Sequence, residues 1–219
     1  MLLLAFAGYL TAVFASAVAA SVAAGIGGDA EGLVVLLPSQ VAFWAVLIGT
    51  VVIARRGGML GGLTDRSALR FRRIDLPIGA VVGVATQLLL VPAIYLPFRS
   101  FIDLDSLSEP AEDLVGGAHG IGLIALAVAL VVVAPIVEEL FFRGLLLEAM
   151  ALRWGGAWAV AGSSVFFGAT HFQPLQFPAL TLAGAVFAIA ALRARRLGPA
   201  VTTHAAFNAT TFTTLVLSS

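Results

Sequence analysis

The sequence contains no cysteine and no lysine, and charged residues make up only 11% of it. Without cysteine, disulfides and thiolate-ligated metals are excluded. Every basic side chain is arginine, which we read as the coding bias of a GC-rich genome. Scarce charge excludes a soluble domain: 60% of the residues are hydrophobic and the mean hydropathy is +1.05. Also missing are a His-Glu-x-x-His pair, a Gly-x-Ser-x-Gly elbow and a phosphate-binding glycine loop. Those absences set aside the best-known zinc-protease, serine-hydrolase and nucleotide readings.

What is present is a series of long apolar runs, continuous rather than alternating. With no water in a bilayer core, backbone groups must pair internally, so runs of this kind are helices. The expected spans are 2–24, 33–54, 76–96, 120–152, 157–172, 179–192 and 199–217. The fold class is therefore all-α, a polytopic membrane helix bundle of about seven transmembrane helices, with room for an eighth in 55–75. Pro92 is expected to kink the third span. Ala17-Val18-Ala19 resembles a signal-peptide cleavage site, but the basic n-region is missing and the run is long enough to span.

Arginines set the expected orientation. Arg55, Arg56, Arg66, Arg70, Arg72, Arg73, Arg153, Arg193, Arg195 and Arg196 follow spans two, four and six, whereas only Arg99 follows an odd one. Positive charge marks the cytoplasmic side, so the N-terminus is expected inside and the C-terminus outside. Acidic residues gather in 97–119, on the opposite side.

The costliest stretch is Val137 to Gly144, Val-Glu-Glu-Leu-Phe-Phe-Arg-Gly, inside apolar sequence that resumes at Leu145. An ionisable residue at the bilayer centre costs about 2.5–3.5 kcal/mol even on an insertion scale, which marks a functional site. Glu139 and Arg143 are at i, i+4 spacing, share a helix face and can neutralise each other. Glu138, rotated by about 100°, remains the carboxylate available for chemistry. The alternative is that all three form a structural ionic clamp. Two further pairs follow at the same spacing: Phe167 with His171, and His204 with Asn208. Each alone reads as well as a packing or interhelical contact.

Depth links them. Glu138 lies fourteen residues above Leu152, about 21 Å at the helical rise; His171 comes out at about 20 Å and His204 at about 12 Å. One shared polar pocket is more economical than three separate intrusions. Such a pocket suits amide hydrolysis. Glu138 serves as general base with His171 orienting the water, and His204 and Asn208 serve as hydrogen-bond donors to an oxyanion. Glu138, His171 and His204 are equally a set that can ligate Zn²⁺ with an open position. The sequence leaves that choice open.

In order and spacing, Glu138-Glu139-x-x-x-Arg143, Phe167-x-x-x-His171 and His204-x-x-x-Asn208 resemble the CPBP group. These are the CAAX-prenyl-protease-like and bacteriocin-processing intramembrane proteases, also called the Abi family. The resemblance covers roughly 120–217. It implies an intramembrane endopeptidase, often described as a metalloprotease, in which Glu138 and His171 activate water. It makes His204 and Asn208 the oxyanion or metal-site partners, with Glu139 and Arg143 in support. It does not fix a prenylated substrate.

The expected organisation is one continuous membrane unit, 1–119 carrying three spans and a basic loop and 120–219 carrying the catalytic core. The expected activity is hydrolysis of a peptide bond in a membrane-associated substrate, against the alternative of a non-catalytic immunity or scaffold protein of the same fold. A transporter is disfavoured, since paired interrupted helices are not evident. The expected partners are the lipid bilayer and a membrane-embedded or lipidated peptide or protein, with no nucleic acid. The expected location is the cell membrane.

Overall fold

A computed structural model describes residues 1–27, 32–58, 70–101 and 105–218. Asp29, Glu31, Arg66 and Asp103, and any helix in 59–69, lie outside the described residues. The described chain is helical, without strands. Its helices are α1 (Leu2–Gly27), α2 (Leu33–Arg56), α3 (Asp75–Phe98), α4 (Glu109–Gly116), α5 (Ile121–Trp154), α6 (Gly156–Ala169), α7 (Phe177–Ala194) and α8 (Gly198–Ser218).

Among the described residues, five helices, α1, α2, α3, α5 and α7, are long and apolar enough to cross a membrane. That is fewer than the seven spans expected, for two different reasons. α6 has only 14 residues, about 21 Å at the helical rise, against a hydrocarbon core of about 30 Å. α8 has 21 residues but spends many of them on Thr, His and Asn. Its polar side is sheltered by α3, against which Thr202, Thr203 and Ala206 pack. The short α4 lies in the acidic connection expected to be a loop.

Close approach is bought with small residues. On α3, a Cβ at Gly79 would run into Thr202, and one at Gly83 into the backbone of α8. A Cβ at Gly8 of α1 would meet Thr50 of α2. The turn between α5 and α6 depends on Gly155, whose φ of 83° is open to glycine but strained for other residues. Trp154 and Trp158, both exposed, flank it together with Arg153, as expected where a helix pair meets an interface.

Two helices widen where proline interrupts them. Pro92 lacks the N–H that the i−4 carbonyl needs, and Thr86–Leu90, just before it, is a π-helical segment. Val128–Val133 does the same ahead of Pro135. A third π segment, Leu140–Leu147, has no proline; it carries Arg143 near its middle. One apolar core joins the first helices to the last, from Ala5, Tyr9 and Leu47 to Phe141, Leu145 and Phe187.

Candidate active site

Glu138 and Glu139 are neighbours in sequence with opposite surroundings. Glu139 is 0% exposed, and its Oε1 accepts hydrogen bonds from Arg143 Nη1 and His204 Nδ1, each at 2.9 Å. Arg143, equally buried, donates its other terminal nitrogen to the Gly184 carbonyl at 2.8 Å. Its guanidinium lies 4.6 Å from the Phe167 ring centre and 5.4 Å from that of Phe187, so two neighbouring aromatic rings partner the cation. A Cβ at Gly184 would sit 3.1 Å from Phe167 and 3.4 Å from Arg143 Nη2, so glycine there keeps the arginine's place open. The network ties α5, α7 and α8 together. Two buried atoms in it, Glu139 Oε2 and Arg143 Nε, have no hydrogen-bond partner among the described residues.

His204 joins this network to Glu138. Its ring stacks on Phe187 at 4.5 Å and 18°. With Nδ1 directed at Glu139, its Nε2 lies 3.9 Å from Glu138 Oε2. That is too long for a direct hydrogen bond but within reach of one bridging water.

Glu138 itself, 16% exposed at the side chain, opens onto a cavity of about 350 Å³. From α1 it is lined by Tyr9, Val13 and Ser16, and from α2 by Gln40 and Phe43. Phe142 continues the α5 wall, and the residues after α6, Thr170, His171 and Phe172, close the far side. His171 Nδ1 lies 2.8 Å from the Phe167 carbonyl. A carbonyl only accepts, so Nδ1 carries the proton of that bond. The neutral ring then keeps its lone pair on Nε2.

The turn that carries His171 is held by both of the chain's two tyrosines. Tyr9 Oη of α1 donates to the Thr170 carbonyl at 3.1 Å, and Tyr95 Oη of α3 donates to the Leu175 carbonyl at 2.7 Å. Gln176 Nε2 donates to the Leu107 carbonyl at 2.8 Å. Non-helical backbone packed among apolar helices needs internal partners, and the tyrosines supply them. Phe172, with φ of 54°, occupies a conformation that bulky residues rarely adopt, an arrangement that needs surrounding support.

The sequence-predicted residues thus fall into two groups. Glu138 and His171 share the cavity, while Glu139, Arg143 and His204 form the buried network behind it. Phe167, 1% exposed, backs His171 at 4.8 Å and His204 at 5.7 Å but is not part of the cavity lining. Asn208 does not line it either; its Nδ2 donates to the Leu130 carbonyl at 2.8 Å. Leu130 lies in the π segment before Pro135, and in that register Pro135 has no N–H to offer it. Asn208 replaces the missing donor.

The Zn²⁺ set open in the sequence does not fit this arrangement. Among the described residues no three His, Asp or Glu side chains are grouped to hold a metal ion.

Sequence reasoning missed Tyr9, Tyr95, Ser16 and Gln40. They belong to no motif. A signal did exist for the tyrosines, since a hydroxyl inside an apolar span needs an acceptor. Neither a curated protein nor a solved structure matches the chain. Residues 120–210, which contain Glu138, Glu139, Arg143, Phe167, His171, His204 and Asn208, match the family model described as Rce1-like, type II CAAX prenyl endopeptidase Rce1-like. This segment is thus similar to that endopeptidase family, in agreement with the resemblance read from its motifs.

Proposed function

We propose that the protein is an intramembrane endopeptidase in which Glu138 is the general base and His171 its partner. One observation carries the reading: a carboxylate and an imidazole with a free Nε2 face one cavity inside the helix bundle. A water between them gives one proton to Glu138 while its second hydrogen is held by His171 Nε2. The water oxygen bonds to the carbonyl carbon of a peptide bond. As the C–N bond breaks, the proton passes from Glu138 to the leaving nitrogen, giving a carboxylic acid and an amine.

His204, held by Glu139 and stacked on Phe187, reaches Glu138 through one water and keeps that carboxylate oriented. Asn208 acts one turn away, by securing α5 at the carbonyl that Pro135 leaves without a donor. The substrate is a membrane-embedded or lipidated peptide or protein, entering from the bilayer or from the cytoplasmic side. The protein sits in the cell membrane with its N-terminus in the cytoplasm. A reporter fused after Leu152 should read cytoplasmic and one near Glu109 external; the reverse pattern would invert the topology.

The decisive experiment is comparative peptidomics of membranes from cells expressing the wild-type chain or Glu138→Ala. Peptides that appear only with the wild type are expected. Identical profiles at equal expression would favour a non-catalytic scaffold.

A further inference from the structure

The cavity wall opposite Glu138 is built by α1 and α2, outside the family-matched segment, and it is polar at two places. Thr11, Ser21, Ser39 and Thr50 on these helices each donate to a carbonyl of their own helix at 2.7–2.9 Å. That is the usual way a hydroxyl is satisfied in an apolar helix. Ser16 makes no such bond, and Gln40 has no hydrogen-bond partner among the described residues, yet both line the cavity that holds Glu138 and His171. A carboxamide in a membrane span normally bonds across to another helix. Here two adjacent helices bring unspent donors and acceptors to one face of the cavity instead.

The proposed hydrolysis creates a need for such groups. A peptide bond inside a helix is shielded by its neighbouring turns, so a membrane segment has to be extended locally before water can attack it. Extension breaks the helical N–H···O=C bonds on either side of the scissile bond. In a site with little water those groups cost free energy unless they find partners. A glutamine side chain has the donor and acceptor pattern of a peptide group and can pair with both backbone groups of one residue.

We propose that Gln40 and Ser16 form a subsite for the extended substrate backbone beside the scissile bond, Gln40 pairing with a flanking amide and Ser16 with the next carbonyl. This rests on the endopeptidase reading and adds a substrate determinant to it. The subsite reads backbone rather than side chains. It therefore selects peptides that unwind easily and tolerates differing sequences.

The test uses full-length protein in phosphatidylcholine–phosphatidylglycerol vesicles with a library of quenched-fluorescent apolar peptides, followed by the best-cleaved member and its analogue with the flanking amide replaced by an ester. Gln40→Met keeps the side chain's length and removes its hydrogen bonds. It should lower kcat/KM for the amide peptide by roughly tenfold or more, the effect of leaving a buried polar group unpaired, with an unchanged melting temperature. The ester analogue should cost the wild type a similar factor and cost Gln40→Met little. Ser16→Ala should show a smaller loss. Equal kcat/KM for wild type and Gln40→Met, or an equal ester penalty in both, would overturn the subsite while leaving the peptidase reading intact. Equal turnover by wild type and Glu138→Gln would instead remove the peptidase reading, and the subsite with it.

Discussion

Adjacent carboxylates on one helix lead into two unlike polar regions. Behind Glu139 lies a closed network in which arginine, imidazole, carbonyl and aromatic faces serve one another, with Glu139 and Arg143 0% exposed. In front of Glu138 lies an open one, where a carboxylate, the Nε2 of His171, a serine and a glutamine face a cavity. The contrast teaches how a membrane protein can afford both. Polar groups spent on each other hold the helices in place, and polar groups left unspent face whatever enters the cavity.

The comparison can be broken first at its open side. Glu138→Gln keeps shape and polarity but cannot accept the water's proton. Turnover should fall by about 10²–10⁴-fold, the range for losing a general base, with little change in thermal unfolding in detergent. If Glu138→Gln stays active and Glu139→Gln does not, the two roles must be exchanged. The closed side should respond in the opposite currency. Arg143→Ala leaves Glu139 buried without its counter-charge, a loss of about 3–5 kcal/mol by analogy with soluble proteins, visible as lower folded yield and an earlier melt.

Gly184→Ala sharpens the same contrast at smaller cost. Its added Cβ would lie 3.2 Å from the Ser164 Cα and 3.1 Å from Phe167. Backbone cannot yield as a side chain does, so overpacking of about 1–3 kcal/mol is expected, measured by the same melts. The smallest effect is expected at Tyr95→Phe, which removes one donor from the Leu175 carbonyl and should cost about 1 kcal/mol. Because that bond steadies the turn after α6, turnover should fall by more than the melting shift alone explains. Equal losses in both would reduce Tyr95 to packing.

Much of this was legible in the sequence because it is local. Helix positions followed from continuous apolar runs, and the Glu139–Arg143 pair followed from i, i+4 spacing within one helix. Long-range placement was not legible. Nothing in the spacing of His204 and Asn208 says that the first bonds Glu139 and the second Leu130, since the latter depends on a π segment ahead of Pro135. The wall from α1 and α2 was invisible for a related reason. Tyr9, Ser16 and Gln40 lie more than ninety residues from Glu138 and meet it only through packing. The length of α6 was misread by a few residues, because Phe172 is apolar and no proline or glycine directly follows Ala169 to mark the end of the helix.

That short helix has a consequence for how motion reaches the cavity. The turn after it is tied at once to α1, to α3 and to the connection before α4, through Tyr9, Tyr95 and Leu107. Three elements distant in sequence therefore share one joint, and a shift of any of them is felt at His171, which the joint carries.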